Sequence, residues 1–435
     1  MLPALCTLSQ ASRTVFERAI FGNKPQPLGL WATVVYYAIA IAVITTLVLL
    51  IAMIGIWAER KVAGHMQSRL GPNRVGPFGL LQSLADGIKL ILKEDLIPRS
   101  GDRLLFRLAP YVAFAPVFAA FVALPFAPDM VFEPRLNVGV FYVLAVLGVE
   151  VMGVMLAGWA SNNKWSIYGA MREACQMVSY EIPLGISIIV GVMAAGTLNM
   201  VEMSSAQGGG LHTWLIFRNP FVFIAFFVYF VASLASNKRA PFDLPESESE
   251  LVAGFHTEYS GMRWAFFFFA EYAAMFVVGG IQAALFQGGW NDPFGLIGHY
   301  HSKFLASGST AGLVVVNLFG ATVFVAKASL IIFIQMWLRW TLPRPRIDQV
   351  LYACVKVLLP IACAMLLGAA LWQLLVPDQT VAALVVQIAL TVLGVAVSGA
   401  ILLWIAHAWI GRRGNKLRLT DPAEIPQKAA GPAAA

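Results

Sequence analysis

Long apolar runs alternate with short polar connections along almost the whole chain. A helix that crosses a bilayer needs roughly 20 apolar residues, because the hydrocarbon is about 30 Å thick and each helical residue rises about 1.5 Å. Runs of that kind fall at about 31–57, 104–126, 138–160, 178–201, 220–236, 265–286, 311–337, 349–376 and 381–410. They predict an all-α, polytopic membrane helical bundle of about nine transmembrane helices, with 220–236 the shortest.

The pattern breaks most strongly between Glu59 and Asp95, a polar stretch set between two oily ones. Inside it, Leu81, Leu84, Ile88 and Ile91 recur at helical spacing while Gln82, Asp86, Lys89 and Lys93 form a stripe on another face. This predicts a helix over 78–93, too short to span and suited to the membrane interface. The approach Gly71-Pro72-Asn73-Arg74-Val75-Gly76-Pro77 reads as a fixed turn, because its Gly and Pro residues restrict the backbone. Glu59, Arg60 and Asp86 are expected at a similar depth, as a polar wall facing a cavity.

Composition narrows the class. With 59% hydrophobic and 12% charged residues, the chain of 435 residues is no ordinary soluble globule. The net charge of +7 reports orientation more than a nucleic-acid partner, since its basic residues follow the loops. Lys and Arg concentrate in 58–103, 161–176, 237–264, 338–348 and the tail, whereas the other connections hold mainly Arg13, Arg18, Lys24, Arg135, Arg218 and Lys303. The positive-inside rule then predicts a periplasmic N-terminus and a cytoplasmic C-terminus, which an odd number of spans allows. Cys6, Cys175, Cys354 and Cys363 are scattered, with no CxxC pair and no His at metal spacing, so no metal site is expected. The first 30 residues do not resemble a cleaved signal peptide. His212, His299 and His301 are read as solvated or interfacial.

A second polar stretch, Asn237 to Arg263, carries Asp243, Glu246, Glu248, Glu250 and Glu258. In an extended backbone Glu246, Glu248 and Glu250 point one way; in a helix Asp243, Glu246 and Glu250 share a face. Either arrangement crowds three carboxylates and raises at least one pKa, giving a group able to pass a proton. Within the spans lie Glu150, Glu181, Glu271, Lys327 and Lys356, and charges at such depth usually mark an ion or proton path. Phosphate loops and nucleophile triads are not seen. A secondary cation–proton transporter would also place charges in spans, but it should show an internal repeat with interrupted helices, and none is visible.

Four stretches, AERKVAGHMQSRLGPNRVGPFGLLQSLADGIKLILKED, GWASNNKWSIYGAMREACQMVSYEIPLG, KRAPFDLPESESELVAGFHTEYSGMRWAFFFFAEY and RWTLPRPRIDQVLYACVKVLLP, resemble the signature regions of the H-subunit family of bacterial NADH–quinone oxidoreductase, respiratory complex I. The resemblance runs from about Trp31 to Pro377. It implies a membrane domain over 31–377, an N-terminal extension at 1–30, an extra C-terminal transmembrane helix at 378–411 and a cytoplasmic tail at 412–435. It further implies a multi-pass subunit of the bacterial inner membrane, coupling quinone reduction to proton translocation at the junction with the peripheral arm. On this likeness Glu59, Arg60 and Asp86 would line the quinone chamber, and Asp243, Glu246, Glu248 and Glu250 would form an acidic loop beneath it. Glu181 and Glu271 would link that loop to the proton path. The chain would carry no redox cofactor; NADH, FMN and iron–sulfur clusters would belong to partner subunits, namely peripheral-arm quinone-site subunits beside small membrane-arm subunits. Quinone and membrane lipid complete the expected partners, with ubiquinone and menaquinone equally open. A quinone-free relative in membrane-bound hydrogenases is the nearest alternative. Three features depart from the family pattern: Glu150 stands where an aromatic is expected, the ninth span occurs only in some members, and 1–30 exceeds the usual lead.

Overall fold

The computed structural model describes residues 30–132, 136–376 and 381–414. Most of the predicted extension 1–30 and of the tail 412–435 lies outside these residues. Eleven helices carry the architecture: α1 Leu30–Met66, α2 Gln82–Leu92, α3 Arg103–Phe121, α4 Gly139–Ala160, α5 Lys164–Ala195, α6 Pro220–Ser236, α7 Gly261–Phe286, α8 Leu296–Ser307, α9 Thr310–Thr341, α10 Ile347–Leu375 and α11 Val381–Gly414. Among the described residues there is no β-strand. Seven helices are long and apolar enough to cross a membrane, while α6, with 17 residues, and the apolar part of α11, Val381–Val397, are shorter. The chain is a multi-pass membrane protein.

The bundle is built around α7. From Tyr272 to Phe286 every residue is buried, with α1, α2, α3, α6 and α9 packed around it. Hydrophobicity alone does not hold helices together in lipid, so close backbone approach matters. At Gly153 of α4 a Cβ would fall 2.5 Å from the Ala113 amide nitrogen of α3, so only glycine permits that contact.

Two helices extend beyond the apolar runs that predicted them. Helix α1 continues through Glu59 and Arg60 to Met66, because nothing in 58–66 breaks backbone hydrogen bonding although hydropathy falls. Helix α5 starts at Lys164, not near 178, and the Asn163 side chain accepts from the Trp165 amide to cap it. The supposed connection 161–176 is therefore largely helix, and its Glu173 and Gln176 are buried: Gln176 Nε2 donates to the carbonyls of Ala235 and Phe242, both at 2.8 Å.

At the end of the bundle away from Asp243–Glu258, charges are held by backbone. Lys327 Nζ donates to the carbonyls of Gln287, Gly289 and Asn291 at 2.6, 3.0 and 2.6 Å and lies 4.2 Å from the Trp214 ring centroid. Asp292 accepts from the amides of Phe294, Leu296 and Ile297. His301, read as solvated or interfacial, places Nε2 3.0 Å from Asp129 Oδ2, which also accepts from Asn317 Nδ2 at 3.0 Å. The reason is α8, which forms from the Gly-rich connection and lays His301 against the turn at 127–130.

Candidate functional site

Helix α6 ends at Ser236, and the next residues turn the chain inward: Lys238 adopts φ 55° and both Lys238 and Arg239 are buried. Buried cations must be paired, and each finds carboxylates on other helices. Lys238 Nζ lies 3.0 Å from Glu150 Oε1 of α4 and 2.5 Å from Glu173 Oε1 of α5. Burial alone would lower the Lys238 pKa, but these two carboxylates outweigh it and hold the ammonium well above its usual range.

Arg239 reaches the other way. Its Nη1 donates to both oxygens of Glu59, at 3.1 and 2.8 Å, and its Nε lies 2.9 Å from Glu271 Oε1. The guanidinium also sits 4.4 Å from the Tyr272 ring centroid, and Tyr272 donates its hydroxyl to Glu59 Oε2 at 2.6 Å. Arg339 of α9 completes the surroundings of Glu59, donating to Oε1 at 2.5 Å. Four carboxylates (Glu59, Glu150, Glu173, Glu271) thus share three cations (Lys238, Arg239, Arg339). Such an arrangement is short of one positive charge, which a proton can supply.

The acidic loop does not gather its carboxylates as the sequence suggested. Asp243 pairs with Arg344 Nη2 at 3.0 Å, and Glu246 Oε1 lies 3.8 Å from His256 Nδ1. Glu250 turns outward to Arg172 Nη1 at 2.5 Å, with more than half of its side chain exposed. Glu248 opens the one-turn helix Glu248–Leu251, and its side chain lies outside the described residues. Gly254 explains the tight path: at φ +61° a Cβ would fall 1.9 Å from the Pro245 carbonyl oxygen. Burial pushes the Asp243 carboxyl up against the opposing pull of Arg344, Arg339 and Arg239. Glu246 is likewise raised, first by burial and then by the charge of Asp243.

Glu59 and Arg60, adjacent on α1, face different partners. While Glu59 turns toward Arg239, Arg60 bonds to Asp86 on α2. Gln82 Nε2 also donates to Asp86, at 3.2 Å. Burial would raise the Asp86 pKa, but the Arg60 hydrogen bond and charge prevail and hold it below the usual carboxylate range. Ser83 Oγ donates to the Met53 carbonyl at 3.1 Å and Trp57 Nε1 to that of Phe78 at 3.2 Å, so the segment 78–86 is docked on the end of α1.

Some of these groups line three neighbouring spaces, Asp86 and Asp243 not among them. A cleft of about 360 Å³ is lined by Glu59, Arg60, Arg69, Tyr272 and Trp340 among others. A cavity of about 210 Å³ is lined by Glu150, Lys238, Glu246, His256, Glu271 and Arg339. A small one of about 20 Å³ touches Glu150, Glu181, Lys238 and Glu271. Glu150, Lys238 and Glu271 line both cavities, and Arg239 joins Glu271 to Glu59 at the cleft. Among the described residues no group of three or more His, Cys, Asp or Glu could hold a metal ion.

A family model described as NADH dehydrogenase matches residues 39–370. The chain belongs to the H-subunit family of NADH-quinone oxidoreductase. Proteins named as the H subunit of this enzyme are similar over most of its length. That of Chlorobium luteolum is 45% identical over 370 residues, covering 84% of this chain and 95% of the relative. The Anaeromyxobacter dehalogenans protein is 41% identical over 400 residues, 90% of this chain and 96% of its own. The Chlorobaculum parvum protein is 47% identical over 320 residues, 73% and 87% of the two chains.

In this member of the H-subunit family, several residues of the charged junction escaped sequence reasoning. Glu173 was hidden in a supposed loop, and Lys238, Arg239, Arg339 and Arg344 were counted only as orientation signals. Tyr272 was not among the candidates. One available signal was the Lys238-Arg239 doublet directly after an apolar run and before a row of acids, since buried acids need cations. Glu150, set aside as a departure from the family pattern, proves to be a Lys238 partner.

Proposed function

We propose that this chain is the membrane-arm subunit of a proton-pumping NADH-quinone oxidoreductase of the bacterial inner membrane, forming the quinone chamber at the junction with the peripheral arm. In this reading it has nine spans, a periplasmic N-terminus and a cytoplasmic C-terminus, with 31–377 as the membrane domain. The observation that carries the proposal is Arg239, whose guanidinium bridges Glu59 at the cleft and Glu271 at the cavities. Reduction of a quinone takes two electrons and two protons. Electrons arrive from iron–sulfur clusters on peripheral-arm subunits, which also carry FMN and bind NADH.

Glu59, Arg60 and Asp86 face the quinone side, and Asp243, Glu246, Glu248, Glu250, Glu271 and Glu181 hold or pass protons. Negative charge appearing on the quinone competes for Arg239 and Arg339 and weakens their hold on Glu59 and Glu271. Those carboxylates then take up a proton, because an unpaired carboxylate is costly in a low-dielectric site. Glu246, which lines the cavity of about 210 Å³, supplies it, with Asp243, also raised, acting on Glu246 through its charge. Re-pairing after quinol leaves reverses the preference, and the proton moves on past Glu181 to small membrane-arm subunits.

The test uses Asp86→Asn and Glu246→Gln in the assembled complex. Quinone-linked NADH oxidation should fall at least about tenfold in each, Asp86→Asn through the quinone side and Glu246→Gln through lost proton transfer, while NADH oxidation by an artificial acceptor stays unchanged. Unaltered quinone-linked rates in both variants would overturn the proposal.

A further inference from the structure

Gln282 of α7 is fully buried, yet neither end of its side-chain amide has a hydrogen-bond partner. Swapping the amide's oxygen and nitrogen does not help, since both ends are orphaned. Buried polar groups are almost always satisfied by protein or by ordered water, so an amide with two vacant ends asks for water. Its place on the helix says where that water sits.

Positions 271, 274, 278 and 282 are spaced by three, four and four residues and therefore share one face of α7. Glu271, Ala274 and Val278, the first three, line the small cavity with Glu150, Glu181 and Lys238. At about 20 Å³ that cavity exceeds the roughly 10–15 Å³ a single water needs, and its walls offer several polar partners. Gln282 lies about one turn beyond Val278, roughly 6 Å along the axis. Side chains of a helix lean toward its N-terminus, so the amide leans back toward Val278 and the cavity. Beyond it the stripe turns apolar: Leu285 and Phe286 are buried and close that end.

We propose that Gln282 binds ordered water that continues the Glu271 cavity by one turn, and that it thereby acts as a positioning residue for proton passage at Glu271. The positioning half rests on the relay role given to Glu271 above; the water site does not. Gln282 touches no substrate. It fixes the last water of a blind-ended file, and this orients the water that Glu271 and Glu181 share. Leu285 and Phe286 keep the file from reaching the far side.

Gln282→Leu tests the proposal in the intact complex. Leucine fills a similar volume without vacant polar ends, so the variant should fold. In a high-resolution map of the unaltered complex, water density should lie within hydrogen-bond distance of the Gln282 amide. In the variant, quinone-linked kcat should fall about fivefold with KM unchanged and a larger solvent deuterium effect, and Gln282→Asn should restore most of the rate. A dry amide in the map overturns the water site. Unchanged kcat and isotope effect in Gln282→Leu overturn the positioning role. Glu271→Gln provides the separate check: if it leaves coupled turnover intact, the relay reading fails while water on Gln282 in the map still supports the site.

Discussion

The two ends of this bundle bury charge in opposite ways. At one end, Lys238, Arg239 and Arg339 meet Glu59, Glu150, Glu173 and Glu271, side chain against side chain, from α1, α4, α5, α7, α9 and the loop after α6. At the other, Lys327 gives its three N–H groups to carbonyls and Asp292 takes its hydrogen bonds from amides. Backbone partners cannot titrate or rotate away, so Lys327 and Asp292 keep the same partners. Carboxylates can gain protons and long side chains can change partner, so the first arrangement has several states. The same cost of burying charge yields a lock in one place and an adjustable junction in the other.

Lys327→Met should break the lock outright. Three carbonyls lose their donor at once, each at about 1–3 kcal/mol, so the thermal unfolding temperature of the complex should drop steeply. Activity per surviving assembled complex should be unchanged. A variant as stable as the parent would remove the contrast.

Lys238→Met should cost less than Lys327→Met and recover in acid. Removing one partner of a buried pair costs about 3–5 kcal/mol, but Glu150 or Glu173 can take a proton in its place. The stability deficit should therefore shrink as pH falls, measurable as converging melting curves. A pH-independent deficit would mean that this end is as fixed as the other.

Within the site, pH should separate two carboxylate environments. Asp86 is held below its ordinary 3.8, so its contribution is present above that value and is lost as pH falls through the lower folded value. Asp243 and Glu246 are raised above 3.8 and 4.5, so their contribution is full below those values and is lost as pH rises through the folded ones. Hydrogen exchange, corrected for its intrinsic pH dependence, should loosen 237–260 toward higher pH and 82–92 only toward acid. The smallest effect belongs to Arg172→Gln. Its partner Glu250 is more than half exposed, so stability should change by at most about 1 kcal/mol, read from the same melting curves.

The helices were legible because lipid demands long apolar runs: Pro220–Ser236 and Gly139–Ala160 nearly coincide with runs visible in the sequence. Helix α5 was misread because Glu173 and Gln176 lower hydropathy while being buried against Lys238 and backbone carbonyls. Hydropathy records what a residue prefers on average, not the partner that reconciles it to burial. The helix at 82–92 was legible from its apolar stripe, but its docking on α1 was not, because that runs through Ser83 and Trp57 while Leu81, Leu84, Ile88 and Ile91 stay exposed. The split of the acidic loop was not legible either, because which cation each acid meets is set by helices far apart in sequence.

The shortness of α6 has an electrical consequence. Its 17 residues reach only about 25 Å at 1.5 Å each, less than the roughly 30 Å of hydrocarbon. Crossing a bilayer, it sets Lys238 and Arg239 down before the far headgroups are reached. Under the proposed crossing, a proton delivered to their carboxylates would already have crossed part of the transmembrane voltage, worth about 2.3 kcal/mol per charge per 100 mV over the full thickness. In the proposed topology, protonation of this junction is expected to shift with the membrane potential, to a degree set by the length of one helix.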